Sequence, residues 1–407
     1  MIDVIVIGAG PAGLAGAIAC ADFGLKVTVI DEFIKPGGRL LGQLHQEPSG
    51  EWWNGIKASE RLHQEAKKLS VDIHCGVSVY NLEKKDQLWN VYTSVGALEA
   101  PFVLMATGAA EYPIPLPGWT LPGVMSIGAA QVMTNVHRVQ VGKKGMIIGA
   151  NILAFAILNE LQLAGITVER IVLPEKSALS QEAGEPEEVM KSLLNAAHLA
   201  PSPLLRIGGR FMKNDWVRKM GLNFYPKNGM KVNGTSLQLR KAALEIIGKD
   251  QVEGVRLVDI DANGNIVAGS ETIYEADFVC IAGGLYPLAE LAAVAGCPFQ
   301  YVPELGGHVP HHSETMETPL KGLFVAGNIT GIESGKIAMA QGTTAGLSIA
   351  KHAGKGLGKI DQQLQQAIQN IHTVRRQATI QFNPKIDRGR KKMYELWENL
   401  YSNNGFS

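Results

Sequence analysis

Three glycines near the N-terminus, in Gly8-Ala9-Gly10-Pro11-Ala12-Gly13, have the spacing that brings a backbone against a pyrophosphate. Gly8 permits the tight turn, Gly10 leaves the phosphates room to approach, and Gly13 lets a helix pack closely on a strand. Free N–H groups and the positive dipole end of that helix favour the phosphate charge. Asp31-Glu32 follow at about the right distance, and Asp31 is assigned to accept from ribose hydroxyls. The elements that must position these groups are legible too. Residues 3–7 form a continuous apolar, β-branched run, as a strand buried on both faces would. A small-residue helix pattern reaches about Phe23, and Val27 to Ile30 form a second apolar run ending at the acid. Strand, turn, helix, strand and acid together are far more specific than the glycine triplet alone.

The unit is repeated. Lys144 to Ile148 reads as a strand, followed by Gly149-Ala150-Asn151-Ile152-Leu153-Ala154 and a helix pattern ending at Gly165. Gly165 follows Gly149 by 16 residues, as Gly24 follows Gly8. Glu99 to Gly108 likewise resembles Glu275 to Gly284, each a buried strand ending in small residues. The offset grows from 141 to 176, which places about 35 extra residues in the second copy, between Pro174 and about Ser202. The second copy is less well equipped: Asn151 replaces the middle glycine, Ala154 the third, and Val172 the acid, with Glu175 behind Pro174. A side chain at Asn151 crowds the place where backbone should meet pyrophosphate, so this site is read as degraded. A third glycine region, Gly322-Leu323-Phe324-Val325-Ala326-Gly327-Asn328, reads as a strand and turn before a helix from about Lys336 to His352.

Composition narrows the function classes. The 407 residues include 46 glycines, about 11% against an average near 7%, without a collagen-like period or a Gly/Ser linker. Lys+Arg and Asp+Glu are both 38, so no basic footprint for nucleic acid or anionic lipid exists. The N-terminus lacks a basic leader region, and no apolar run reaches the 18 or so residues of a membrane helix. Cys20, Cys75, Cys280 and Cys297 are scattered with no C-x-x-C pair, which speaks for reduced thiols in the cytoplasm.

Together these pieces resemble the two-dinucleotide-binding-domain flavoproteins, which include the pyridine nucleotide–disulfide oxidoreductases. The likeness covers residues 1 to about 352. It is carried by the first glycine motif, by Ala106-Thr107-Gly108 with Pro113 and Pro117-Gly118, and by Thr318 to Asn328. It implies an α/β fold of two Rossmann-like, glutathione-reductase-type domains, the second inserted in the first. The FAD-binding domain is expected at 1–118 and 298–352, an NAD(P)-binding-like domain at 119–297, and a helical tail at 353–407. Pro36-Gly37-Gly38-Arg39 with Gln43, the run Leu121 to Gln131, and Gly306-Gly307-His308-Val309-Pro310 are similar to one branch. That branch is the FAD-containing α-type subunits of heteromeric amino-acid or amine dehydrogenases, related to opine oxidase, hydrogen cyanide synthase, sarcosine oxidase and dye-linked proline dehydrogenase.

The resemblance implies FAD as cofactor, held at the first turn by Gly8, Gly10, Pro11, Ala12, Gly13, Asp31 and Glu32. Gly38, Arg39 and Gln43 would contribute from the next loop, with Val79, Ala106, Thr107 and Gly108 beyond it. Gly327, Asn328, Lys336 and Ile337 would complete the set, the last two at a helix start that stabilises charge on the reduced flavin. The implied enzyme is an FAD-dependent dehydrogenase taking electrons from an amine or amino acid, directly or through a second flavoprotein subunit. It would pass them to a partner or dye within a hetero- or homo-oligomer. Two other functions compete: a self-contained NAD(P)H-dependent flavin oxidoreductase, and a non-catalytic FAD-bearing assembly subunit.

Two departures from the family pattern stand out. Asn328 replaces an aspartate that accepts from the flavin ribityl chain, a role its amide oxygen retains. No cysteine follows Cys297, so this chain cannot by itself hold the C-terminal cluster of some relatives. Its tail instead carries Arg375, Arg376, Lys385, Arg388, Arg390, Lys391 and Lys392 with Met393, Trp397 and Tyr401, expected as a solvated basic helix or a docking surface for a partner subunit. No catalytic residue is assigned, because nucleophile elbow, paired carboxylates and His-Cys pair are all missing. His308, His311 and His312 have no metal-site spacing, and no metal is expected. His45 and His63 read as surface groups, and Trp52-Trp53 as a staple at a helix start.

Overall fold

The computed structural model describes residues 1–47, 50–195, 215–356, 358–379 and 381–401. The chain divides into two compact units. The first comprises Met1–Leu41, Asn54–Ala110 and Leu285–Ser407; the second comprises Gly42–Trp53 and Glu111–Gly284.

The first unit opens with β1 (Val4–Ile7), α1 (Pro11–Asp22), β2 (Val27–Asp31), α2 (Gly55–Lys68), β3 (Asp72–Cys75) and β4 (Phe102–Met105). All four residues of β1 are buried, which is why it reads as an unbroken apolar run. α2 is amphipathic: Gly55, Ser59, Leu62 and Ala66 face inward, and the Asn54 side chain caps it by accepting from Lys57 N–H at 3.0 Å. An antiparallel sheet of Val79–Lys85, Leu88–Thr93 and Gly96–Ala100 precedes β4 and puts Trp89 into the core beside Ile5, Val103 and Met105.

The second unit contains β5 (Val124–Ser126), α3 (Ile127–Asn135), β6 (Lys144–Ile148), α4 (Ile152–Leu163), β7 (Thr167–Pro174), β8 (Thr235–Ile247), β9 (Gly254–Asp259), β10 (Thr272–Glu275) and β11 (Phe278–Ile281). They form one sheet in the order β5-β11-β6-β7-β8-β9-β10, with Met230–Val232 also on β8. The first five strands are parallel, and β9 and β10 continue antiparallel. Ile147, Ile157, Leu161, Ile171 and Phe278 fill its core. Part of the expected insertion, residues 196–202, lies outside the described residues; the described part holds a helix, Pro186–Asn195.

The chain then returns to the first unit with β12 (Leu323–Val325), α5 (Gly335–His352), α6 (Ile360–Arg376) and α7 (Ile386–Tyr401). The five parallel strands stand in the order β12-β4-β1-β2-β3. α1 and α5 cross closely enough that a Cβ on Gly342 or Gly346 would collide with the carbonyl of Ala12 or Gly16. The fold is therefore α/β, two Rossmann-like units with the second inserted in the first, followed by helices.

The internal repeat is real at the level of single hydrogen bonds. Gly8 N–H donates to Ile30 O at 2.7 Å and Gly149 N–H to Val172 O at 2.8 Å. Ala106 N–H donates to Ile7 O, and Ala282 N–H to Ile148 O, both at 2.8 Å. The two turn glycines have φ of +104° and +106°. In the tail, expected as a solvated basic helix or a docking surface, the reading of Arg375 and Arg390 as solvated is corrected: both are interior, with side chains only 3% and 2% exposed. No helix among the described residues is long and apolar enough to cross a membrane.

Candidate functional site

The first glycine turn lies between the C-terminal ends of β1 and β4 and the N-terminus of α1. A Cβ at Gly8 would collide with the Ala106 carbonyl, and one at Gly13 with the carbonyl of Gly8. Those two glycines are demanded by the protein's own packing. Gly10 is different: its φ is −72°, open to any residue, and a Cβ there would meet no atom within 4 Å. Nothing in the polypeptide requires a glycine at this place, and a ligand lying against the backbone would.

Several separated segments converge on the turn. Gly37 N–H donates to Ala9 O at 2.8 Å, and a Cβ on Gly38 would stand 3.0 Å from Gly10 Cα. Ser59 Oγ holds this second loop through Pro36 O at 3.0 Å, and Arg39 donates to Ala109 O from Nε and Nη2 at 3.2 and 3.0 Å. Thr107 Oγ donates to Leu288 O at 2.5 Å, and Gly108 O accepts from Leu288 N–H at 3.1 Å. A Cβ on Gly327 would sit 2.8 Å from that of Ala12, so the third glycine region abuts the first. Lys336 and Ile337 open α5, the lysine exposed and the isoleucine buried, while Pro11 starts α1. Val79 pairs with Thr93 in the antiparallel sheet. Gln43 belongs to the second unit, where its Oε1 accepts from Trp53 Nε1 at 3.0 Å.

The acid at the end of β2 has partners of its own. Asp31 Oδ2 accepts from Ala9 N–H at 2.6 Å and Oδ1 from Phe33 N–H at 2.8 Å. Burial raises its carboxyl above the ordinary range, and the two backbone donors oppose that rise. Asp31 therefore ties the glycine turn to β2, while the adjacent Glu32 side chain is exposed. Asn328 Oδ1 accepts from Glu333 N–H at 3.1 Å.

In the second copy the place corresponding to Gly10 is filled. Asn151 Nδ2 donates to Ala282 O at 2.8 Å, and its Oδ1 accepts from Ala154 N–H at 3.0 Å. The side chain thus caps the very helix end that would face a pyrophosphate. Elsewhere in this unit Glu160 is buried, accepting from Leu44 N–H at 3.1 Å, Gln131 at 2.7 Å and Asn135 at 2.9 Å. Burial pushes its carboxyl up to about 7 against those three donors.

Sequence reading missed a buried cluster behind the third glycine region. Glu333 accepts from Arg375 Nε at 2.5 Å and from Arg390 Nη2 at 2.6 Å. Burial would raise its carboxyl, but Arg390 and Arg375 outweigh it and hold it below the ordinary range. His312, fully buried, donates from Nδ1 to Pro310 O at 2.8 Å and receives Arg390 Nη1 on Nε2 at 3.3 Å. Burial first, then Arg390, lowers it to about 3, so it is neutral at physiological pH. No local pattern flags these partners, which lie 42 to 78 residues apart. Among the described residues no group of His, Cys, Asp and Glu forms a metal site.

The chain thus carries two glycine turns on parallel sheets, one whose helix end has no side-chain cap and one capped by its own Asn151. Residues 2–177 match the pyridine nucleotide-disulphide oxidoreductase family. The chain is 28% identical over 370 residues to a component chain of opine oxidase from Agrobacterium tumefaciens (strain Ach5), spanning 85% of this chain and 65% of that one. It is 24% identical over 359 residues to hydrogen cyanide synthase subunit HcnB of Pseudomonas aeruginosa, spanning 85% and 70%. In structure it is similar to L-proline dehydrogenase from P. horikoshii, with a TM-score of 0.62 and 20% identity over 90% of this chain and 58% of that one. The chain thus spans 65% of the length of its opine oxidase relative and less of the proline dehydrogenase. These likenesses are to oxidoreductases, and the solved structure speaks for the fold. The disulphide half of the family's description finds no counterpart in the four free cysteines: burial raises Cys20, Cys280, Cys297 and Cys75 alike.

Proposed function

We propose that this chain is an FAD-dependent dehydrogenase subunit that takes electrons from an amine or amino acid and passes them to a partner protein or dye. The observation that carries it is Gly10, whose missing side chain the chain's own packing does not require and a bound pyrophosphate would. Gly8 to Gly13 would hold the pyrophosphate through backbone N–H groups at the start of α1. Asp31 would keep that turn in shape, leaving Glu32 as the carboxylate for the ribose hydroxyls. Gly38, Arg39, Ala106, Thr107, Gly108, Gly327, Asn328, Lys336 and Ile337 would line the rest, with Val79 as an outlying member. Bound flavin supplies the hydride chemistry, and the start of α5 would stabilise negative charge gained on reduction. The relatives are named as subunits, which supports an oligomer with a second electron-carrying chain. The FAD domain would comprise residues 1–118 and 298–352 and the nicotinamide-type domain 119–297, whereas the compact units divide at 110/111 and 284/285, with the excursion 42–53. The thiols and the lack of a spanning helix among the described residues fit a cytoplasmic site.

A self-contained NAD(P)H oxidoreductase fits less well, because Asn151 occupies its own helix end. The test is anaerobic: the purified chain is examined for bound flavin, then mixed with NADH, with amines and amino acids, and with proteins co-purified from the native host. Bleaching by an amine or a co-purified partner supports the proposal. Rapid bleaching by NADH alone would replace it with the self-contained reductase, and full flavin occupancy with no reduction by anything would favour an assembly role.

A further inference from the structure

We propose that the C-terminal helices α6 and α7 form a clamp on the cofactor loop, with Arg375, Arg390 and Glu333 as its positioning residues. This rests on the flavin reading of the glycine cradle above. The loop runs from Gly327, which abuts Ala12 of the cradle, to Ser334, from which α5 departs. Its backbone is held from the tail. Arg390 Nη1 donates to Thr330 O at 2.7 Å and to Thr330 Oγ at 2.9 Å, and Nη2 donates to Gly331 O at 3.5 Å. Thr330 Oγ in turn donates to Gly327 O at 2.8 Å, carrying the contact to the residue beside the cradle. Gly327 N–H is itself taken by Gln341 Oε1 of α5 at 3.0 Å.

The far end of the loop is fixed through Glu333. Its carboxylate receives Arg390 from Nε at 3.1 Å and Nη2 at 2.6 Å, and Arg375 from Nε at 2.5 Å and Nη2 at 3.1 Å. Its N–H is held by Asn328. All three charged side chains are at most 5% exposed. Apolar packing would bury such a loop without setting its register, whereas a planar guanidinium engaging carbonyls, hydroxyl and carboxylate at once does set it. Neutral His312, donating to Pro310 O, offers Arg390 a further acceptor and orients the fork. The tail therefore acts on the cofactor by determining where the loop backbone and the first turn of α5 stand.

The clamp is tested on the full chain by two measurements. Binding and tail order are linked, so removing FAD must loosen the tail as loosening the tail weakens FAD. Hydrogen exchange in α7 is expected to quicken about tenfold or more in the apoprotein, with β7 and β8 of the second unit unchanged. In parallel, Thr330→Val, which keeps shape and loses the hydroxyl, should raise the FAD Kd about fivefold to tenfold, the size of one lost hydrogen bond. Thr330→Ser should restore it, and Arg390→Lys, which keeps charge and loses the fork, should weaken FAD at least as much as Thr330→Val. Equal α7 exchange with and without FAD overturns the clamp, as does unchanged affinity in Thr330→Val and Arg390→Lys. Should both variants fail to fold, the exchange comparison on the unaltered chain decides. A native chain that takes up no FAD at all would instead remove the flavin reading itself.

Discussion

Replacing Gly10 separates what the ligand needs from what the fold needs. Gly10 caps α1 with φ −72° and ψ −176°, extended backbone that alanine or valine adopts freely. A Cβ there has no neighbour within 4 Å. Alanine caps a helix less well than glycine by up to about 1 kcal/mol, and a stiffer unfolded chain returns about 0.4–1 kcal/mol. The apoprotein of Gly10→Ala should therefore unfold within about 0.5 kcal/mol of the native apoprotein. Flavin binding should suffer far more. A charge-assisted bond from backbone N–H to phosphate is worth about 1.5–3 kcal/mol, so displacing two costs about 3–6 kcal/mol, a rise in Kd of about 10²- to 10⁴-fold. Gly10→Val should push further in the same direction. Gly13→Ala is the contrasting control, because its Cβ collides with the Gly8 carbonyl and should destabilise the fold by about 1–3 kcal/mol. The assay is flavin absorbance per chain as purified, then titration of apoprotein with FAD followed by flavin fluorescence. Stability is compared between flavin-free forms, since bound ligand stabilises by mass action. A Gly10→Val chain carrying one FAD per molecule would refute the assignment of the cradle.

Asp31→Ala should cost about 1–3 kcal/mol of stability, because Ala9 and Phe33 N–H lose their acceptor. Glu32→Ala should weaken FAD without moving the unfolding midpoint of the apoprotein, and thermal melts with FAD titrations distinguish the two residues. Glu160 gives a pH signature: its carboxyl is raised from 4.5 to about 7, so the folded chain holds a proton that the unfolded chain has released across that window. Its contribution is fully present below about pH 4.5 and is lost as pH rises through 7, by at most about 1.4 kcal/mol per pH unit. Denaturant titrations of native chain and Glu160→Gln from pH 5 to pH 8 should therefore show the native chain losing ground, and a constant difference would contradict the assignment. Asn151→Gly removes the side chain that caps α4 and should increase affinity for NADH in calorimetry; no change would show that Asn151 is not what closes that site.

Much of this protein is determined locally. Gly8, Gly10, Gly13 and the apolar runs around them specify a strand, a positive-φ turn and a helix within about 30 residues, because each demand is met by near neighbours. The duplication was equally legible, since matched helix lengths leave matched spacings, and Asn151 was visible as an intruder. What only tertiary structure decided are the partners of side chains. Asp31 and Glu32 are adjacent acids in sequence, yet the first accepts from backbone donors at Ala9 and Phe33 and the second faces solvent. Arg375 and Arg390 read as members of a basic, solvated helix, because charge predicts exposure unless a buried counter-charge is known. Their counter-charge, Glu333, lies 42 and 57 residues away, and helix periodicity carries no information at that distance. A buried ion pair is favourable only when both partners and their remaining hydrogen bonds arrive together, and that coincidence belongs to the fold rather than to any segment of it.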